Sequence, residues 1–232
     1  MTLLAEIQEV MERTYDATGI NLEDCLISSV RSRELAKAAE LDSSDYWDWA
    51  YTFLRESKGR LYVAIYYAPE LVSKLEREDP RECLSSRNVR ELIAFLEEIT
   101  HGIHAALWYQ QGKLSVESET SACNLEVQAK VDVYLLLLRF CLLLAGSIDT
   151  NQVAWIKERL FEDENFNYED DRLIRRYRAA NWLAKRFVNQ LEKIHGDSRI
   201  TLIRDFQKAM LWDKWKLVQA IEASDSDVAL SA

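Results

Sequence analysis

Only two prolines and six glycines punctuate the 232 residues of this chain, and only three histidines and four cysteines are available for chemistry. Sandwiches and barrels reverse direction often and need turn residues to do so. So few breakers therefore point to long helices joined by short loops. The cysteines, Cys25, Cys83, Cys123 and Cys141, are far apart and form no CxxC pair. Thiol-based metal knots and disulfide scaffolds are disfavoured, and separate buried thiols are expected. No glycine-rich phosphate loop, zinc finger or DNA-reading motif occurs.

Long hydrophobic runs are also scarce. The stretch Val133–Gly146 is the most membrane-like, but it is short for a span and Arg139 interrupts it. A core helix is the simpler reading, with no membrane span. The first residues carry Glu6 and Glu9 and lack a basic region followed by an apolar core, so a cytoplasmic location is expected.

What is present fits a globular protein. Hydrophobic residues make up 48%, enough for one large core and against wholesale disorder. Net charge is −10, unevenly spread: Arg172 to Val218 holds 12 Lys/Arg and 4 Asp/Glu, a balance of +8, which leaves −18 on the remainder.

Apolar residues at helical spacing predict a helix over Leu3–Tyr15 and another over Leu22–Glu40. A third carries Tyr46, Trp49, Phe53 and Leu54. Leu61–Tyr67 is rich in β-branched and aromatic residues, which permit a strand, yet it is isolated among helical patterns, so a helix continuing from the preceding segment and broken near Gly59 is the favoured of two open readings. Pro69 opens a short helix. Ser85 or Ser86 opens a longer one ending near Gln110, and Leu125–Ala145 is stopped by Gly146. A shorter helix around Val153–Leu160 precedes an acidic connector, residues 162–171. Two basic helices, 170–195 and 199–223, flank Gly196, and 224–232 forms a frayed tail. The expected fold is all-α: a single domain over 1–223, with roughly eight helices in an orthogonal or bundle-like arrangement.

Glu97-Glu98-Ile99-Thr100-His101-Gly102-Ile103-His104 concentrates the chemistry, placing two histidines one turn apart beside two carboxylates. On a helical wheel Leu92, Phe95, Leu96, Ile99, Ile103, Ala106 and Leu107 form an apolar stripe. His101 projects almost opposite its centre, with Glu97, His104, Ala105 and Trp108 nearby. That side is expected to line a second interface or a cavity. Acid–base catalysis there would use His101 or His104, with Glu97 or Glu98 orienting the imidazole. A divalent metal (Zn, Mn or Fe) would draw on Glu98, His101 and His104, with Glu126 and Asp132 as candidates from the following helix. Glu126 and Asp132 are about 120° apart on their wheel, which works against a compact site.

Glu98-x-x-His101 resembles the ExxH element of ferritin-like di-metal helical bundles, which implies a carboxylate–histidine metal site. That family carries ExxH on two helices and this chain has one. Helical nucleotide-pyrophosphate hydrolases offer a second comparison, but their repeated ExxE and ExxD pattern is missing here. His195, before Gly196, reads as a helix-end cap.

Arg172, Arg175, Arg176, Arg178, Lys185 and Arg186 form a basic cluster suited to phosphate or to an acidic protein partner, and the acidic remainder of the chain competes for it. Trp182, Trp212 and Trp215 leave nucleic acid as a weaker candidate. The leading expectation is a cytoplasmic helical interaction or regulatory protein with a protein partner or self-association. The alternative is a metal-dependent hydrolase acting on a small molecule through the helix around residues 86–110.

Overall fold

The computed structural model describes residues 1–39, 49–116, 118–163 and 170–195. The 199–223 helix, the 224–232 tail, most of the 162–171 connector and the His195 side chain lie outside the described residues. In chain order the helices are α1 (Leu3–Thr14), α2 (Ser29–Ala38), α3 (Pro69–Arg77), α4 (Val89–Gln110), α5 (Glu119–Ala145), α6 (Thr150–Lys157) and α7 (Asp171–His195). A 3₁₀ turn, Leu22–Cys25, follows α1, and a π-helical turn, Glu158–Glu162, continues α6. No helix among the described residues is long and apolar enough to cross a membrane.

Two expectations need correction. The fold is mostly helical but not all-α, and seven helices rather than eight are formed among the described residues, with one antiparallel hairpin. Strands β1 (Ala50–Ser57) and β2 (Arg60–Tyr67) occupy the segment expected to be helical. Their register pairs Ser57 with Arg60, so the turn is the two residues Lys58-Gly59. Both adopt positive φ, +52° and +68°. Turns with two left-handed residues match the natural twist of a hairpin, and glycine makes the second position inexpensive. Gly59 therefore reverses the chain where a helix break was expected. β-Branched and aromatic side chains on both arms suit a sheet with one covered face.

The second expected helix is also divided. Asn21 accepts from the Glu23 amide and starts the 3₁₀ turn, while Ser28 accepts from the Arg31 amide and starts α2. Between them, Ile27 donates its amide to the Ile65 carbonyl at 2.9 Å, which ties this segment to β2. The apolar helix expected from Leu125 begins six residues earlier, at Glu119, where Ser118 accepts from the Ser121 amide, while other ends match their local signals. Pro69 lies in the first turn of α3, and Gly146 ends α5 at φ +71°.

Helix α4 is the centre of the molecule. The hairpin, α1 and α3 pack on it, and α5 packs along it in turn backed by α7. The side opposite its apolar stripe is therefore covered: His104 and Ala105 are fully buried, as are Leu92, Leu96 and Ile103 on the stripe. A helix wrapped on all sides cannot be read from a single stripe. Tyr67 donates its hydroxyl to the Phe95 carbonyl at 2.9 Å, and Thr52 donates to the Glu98 carbonyl at 3.2 Å, pinning the hairpin to α4.

Gly102 permits this approach. A Cβ there would lie 3.0 Å from Leu22 Cδ2 and 3.2 Å from Ile65 Cδ1, and both side chains are fully buried. Gly102→Val adds two further carbons at the same point. It is expected to destabilise the fold by about 2–3 kcal/mol, measured by urea unfolding, despite valine's better helix propensity.

Candidate functional site

His101 and His104 are one turn apart on α4 but belong to two separate clusters. His101 faces α5 beside β1. Its Nδ1 lies 3.5 Å from Glu98 Oε2 and its Nε2 3.3 Å from Glu126 Oε2. The imidazole is thus held between two carboxylates, one from its own helix and one from α5. The Nε2–Glu126 contact is within ion-pair range but is not aligned as a hydrogen bond, leaving a buried ring nitrogen without a hydrogen-bond partner. Burial by itself pushes His101 toward the neutral form, but Glu126 and then Glu98 outweigh it and raise its pKa well above the ordinary 6.5. For Glu126, burial pushes upward, and the stronger influence of His101, with Lys130 and Arg176, leaves its pKa lowered. Both shifts describe an imidazolium beside a carboxylate.

This cluster opens on a cavity of about 420 Å³, large enough for a small molecule. Thr52 and Leu54 from β1, Glu97 and Glu98 from α4, Lys130 from α5 and Tyr177 from α7 are among its walls. Lys130 is nearly buried and lies 3.5 Å from Glu97. Arg176 also reaches the cavity, where its fork engages Glu119 at 2.6 and 2.8 Å.

His104 lies on the α1 side of α4 and is fully enclosed. Its Nε2 is 2.5 Å from Asp132 Oδ2. Gln128 donates to the same oxygen at 2.7 Å and to the Tyr15 hydroxyl at 3.2 Å, and Tyr15 donates to Asp132 Oδ1. Asp132 therefore accepts from three side chains, which is how a carboxylate is accommodated in a core. The Tyr15 ring meets His104 edge-on at 4.8 Å between centroids. Burial, and then the Asp132 charge, raise the Tyr15 pKa well above 10. A void of about 20 Å³ beside Tyr15, Asp132 and Arg139 has room for about one water and no ligand. The cluster's geometry suits a structural lock joining α1, α4 and α5.

The expected metal ligands are accordingly divided. Glu98, His101 and Glu126 meet at the cavity, whereas His104 and Asp132 meet in the core. In the first group the carboxylates sit on opposite nitrogens of one ring rather than around a common point. Among the described residues no three His, Cys, Asp or Glu side chains are arranged to hold a metal ion. Of the expected catalytic residues, Glu97 and His101 line the cavity and His104 does not.

Much of the basic cluster on α7 is engaged within the chain. Arg172 and Arg176 both bind Glu119 at the start of α5, Lys185 pairs with Glu162, and Arg186 stacks over Trp182 at 4.5 Å. Arg175 and Arg178 are exposed on the same helix. Sequence reasoning missed Tyr15, Thr52 and Tyr177. Tyr15 reads in the sequence as one more apolar residue at helical spacing, and the other two reach the site only through the hairpin and α7.

Together these features define a mainly helical protein whose central helix presents a charged cavity under a hairpin. Compared with known proteins, the chain matches no family model, no curated protein and no solved structure.

Proposed function

We propose that the cavity bounded by β1, α4, α5 and α7 binds a small polar molecule, and that His101 delivers a proton to it. The observation that carries this reading is the imidazole of His101, held between Glu98 and Glu126 on the wall of a ligand-sized space. Its raised pKa keeps it charged at neutral pH, so it serves as a proton donor or a fixed cation rather than as a base. Glu98 and Glu126 orient the ring and balance its charge. The Nε2 atom is buried beside Glu126 without an aligned hydrogen bond, so delivery of its proton to a ligand needs a small shift of the ring or of the Glu126 carboxylate. Partner binding through the α7 arginines draws less support, because Glu119 and Glu162 already engage several of those cations.

The test uses the scarcity of histidine. With three in the chain, imidazole ¹⁵N signals are assignable through His101→Gln. Small amines, amides, sugars, carboxylates and phosphate esters are titrated against the protein. At least one class is expected to shift the His101 signal saturably, and Thr52→Trp, which fills the cavity, is expected to abolish the shift. No saturable shift from any class would overturn the proposal.

A further inference from the structure

A second cavity, of about 370 Å³, adjoins the first and shares Trp49, Ala94, Glu97 and Lys130 with it. Its charge is of a different kind. The first cavity sets the carboxylates Glu97, Glu98 and Glu126 against His101, Lys130 and Arg176, whereas the second gathers Arg90 from α4, Lys130 from α5 and Arg159 from the π-helical turn. Against these three cations stand Glu97 and Asp163.

Neither arginine is fully satisfied within the described residues. The Arg90 guanidinium lies over the Trp49 ring, 4.8 Å from its centroid, and no carboxylate among the described residues pairs with it. A guanidinium held over a ring rather than against a carboxylate keeps N–H donors for another group. Arg159 pairs with Asp163 through one terminal nitrogen, but its Nε is buried with no hydrogen-bond partner. An unanswered buried donor on a cation is costly, and an oxyanion answers it. The backbone that carries Arg159 is itself unusual: the Asp163 amide bonds to the Glu158 carbonyl five residues back, at 3.0 Å. Such π turns are less favourable than α-helix and recur where a side chain has to be re-aimed.

We propose that the second cavity is an oxyanion subsite, in which Arg90 and Arg159, with the charge of Lys130 beside them, hold a phosphate or carboxylate group of the molecule whose remainder reaches His101. This deepens the small-molecule reading of the first cavity and rests on it. The ligand class is a small acid or phosphate ester with a neutral polar remainder, because the charges lining the first cavity balance and only the second has more cations than carboxylates.

Inorganic phosphate and acetate are the probes, each titrated at constant ionic strength against the wild-type chain, Arg90→Gln and Arg159→Gln. Arginine side-chain ¹⁵N signals report the site. Saturable binding is expected, weakened about tenfold or more by either arginine replacement. Arg90 is exposed and the Arg159 side chain is 36% exposed, so their replacement spares the core, and thermal melts check this. Phosphate binding tighter than acetate assigns a phosphate ester, and the reverse assigns a carboxylic acid. Absence of saturation by both ions, or arginine variants that bind like wild type, overturns the subsite. If other polar probes still shift His101, only the subsite falls. If phosphate or acetate binds as described and no probe shifts His101, the subsite stands and the proton-delivery reading falls.

Discussion

Asp132→Ala is expected to destabilise the protein by about 3–5 kcal/mol, the range for removing one member of a buried, hydrogen-bonded charged network. The cost does not come from Asp132 alone. Three donors, from Tyr15, His104 and Gln128, lose their acceptor in a region where His104 is fully buried and Asp132 is 3% exposed. A water admitted to the vacated space can answer some of them but not all three at full geometry. Tyr15→Phe removes one donor and keeps the ring, so it is expected to cost only about 1–2 kcal/mol. In the double variant the two losses should be less than additive, because the Tyr15 hydroxyl has already lost its acceptor once Asp132 is gone. Urea unfolding of the four proteins measures the cycle. Full additivity would show that Tyr15 and Asp132 act independently and that the network is not a unit.

The second large effect concerns the other cluster and depends on pH. His101 has its folded pKa raised above 6.5, so its stabilising contribution is complete below pH 6.5 and is lost as pH rises through the folded value. Glu126 has its folded pKa lowered below 4.5, so its contribution is complete above pH 4.5 and is lost as pH falls through the folded value. The pair is therefore most stabilising between about pH 4.5 and 6.5, and stability should decline on both sides. Glu126→Gln is expected to remove about 2 kcal/mol within that window, less than a fully stranded charge because Glu98 still faces the ring at 3.5 Å. The same change should flatten both limbs of the stability–pH profile and bring the His101 titration, followed by imidazole NMR, to lower pH. An unchanged profile would show that the two groups are not an ion pair.

These two variants also separate the roles of histidines that look equivalent in the sequence. Asp132→Ala should unsettle the core around α1 and leave the His101 titration in place. Glu126→Gln should move that titration and leave the Tyr15–Asp132 coupling intact.

Several features were legible locally because their physics is local. Pro69 in the first turn of α3 and Gly146 after α5 act through backbone conformation at one residue. The long apolar run of α5 has to be covered by something, whatever the partner. The hairpin was readable in principle: Lys58-Gly59 lies between two arms rich in aromatic and β-branched residues. The same residues also fit a buried helix, and only pairing across the turn decides between the two. The two carboxylate–histidine contacts involving α5 were less legible still. The wheel separated Glu126 from Asp132 by about 120°, and in the fold each meets a different histidine, yet nothing in the order of residues says which meets which.

The sequence by itself determined that the protein is dominated by helices, where several of them start or stop, and that two of its three histidines sit beside carboxylates on one helix. Tertiary structure alone decided that α4 is wrapped on every side, that His101 opens on a cavity while His104 is sealed against Asp132, and that Arg90 and Arg159 come together beside Lys130. Caps, turns and periodicity act over one or two helical turns. Burial, ion pairing and cavity shape depend on which residues distant along the chain are brought together when the core closes around α4.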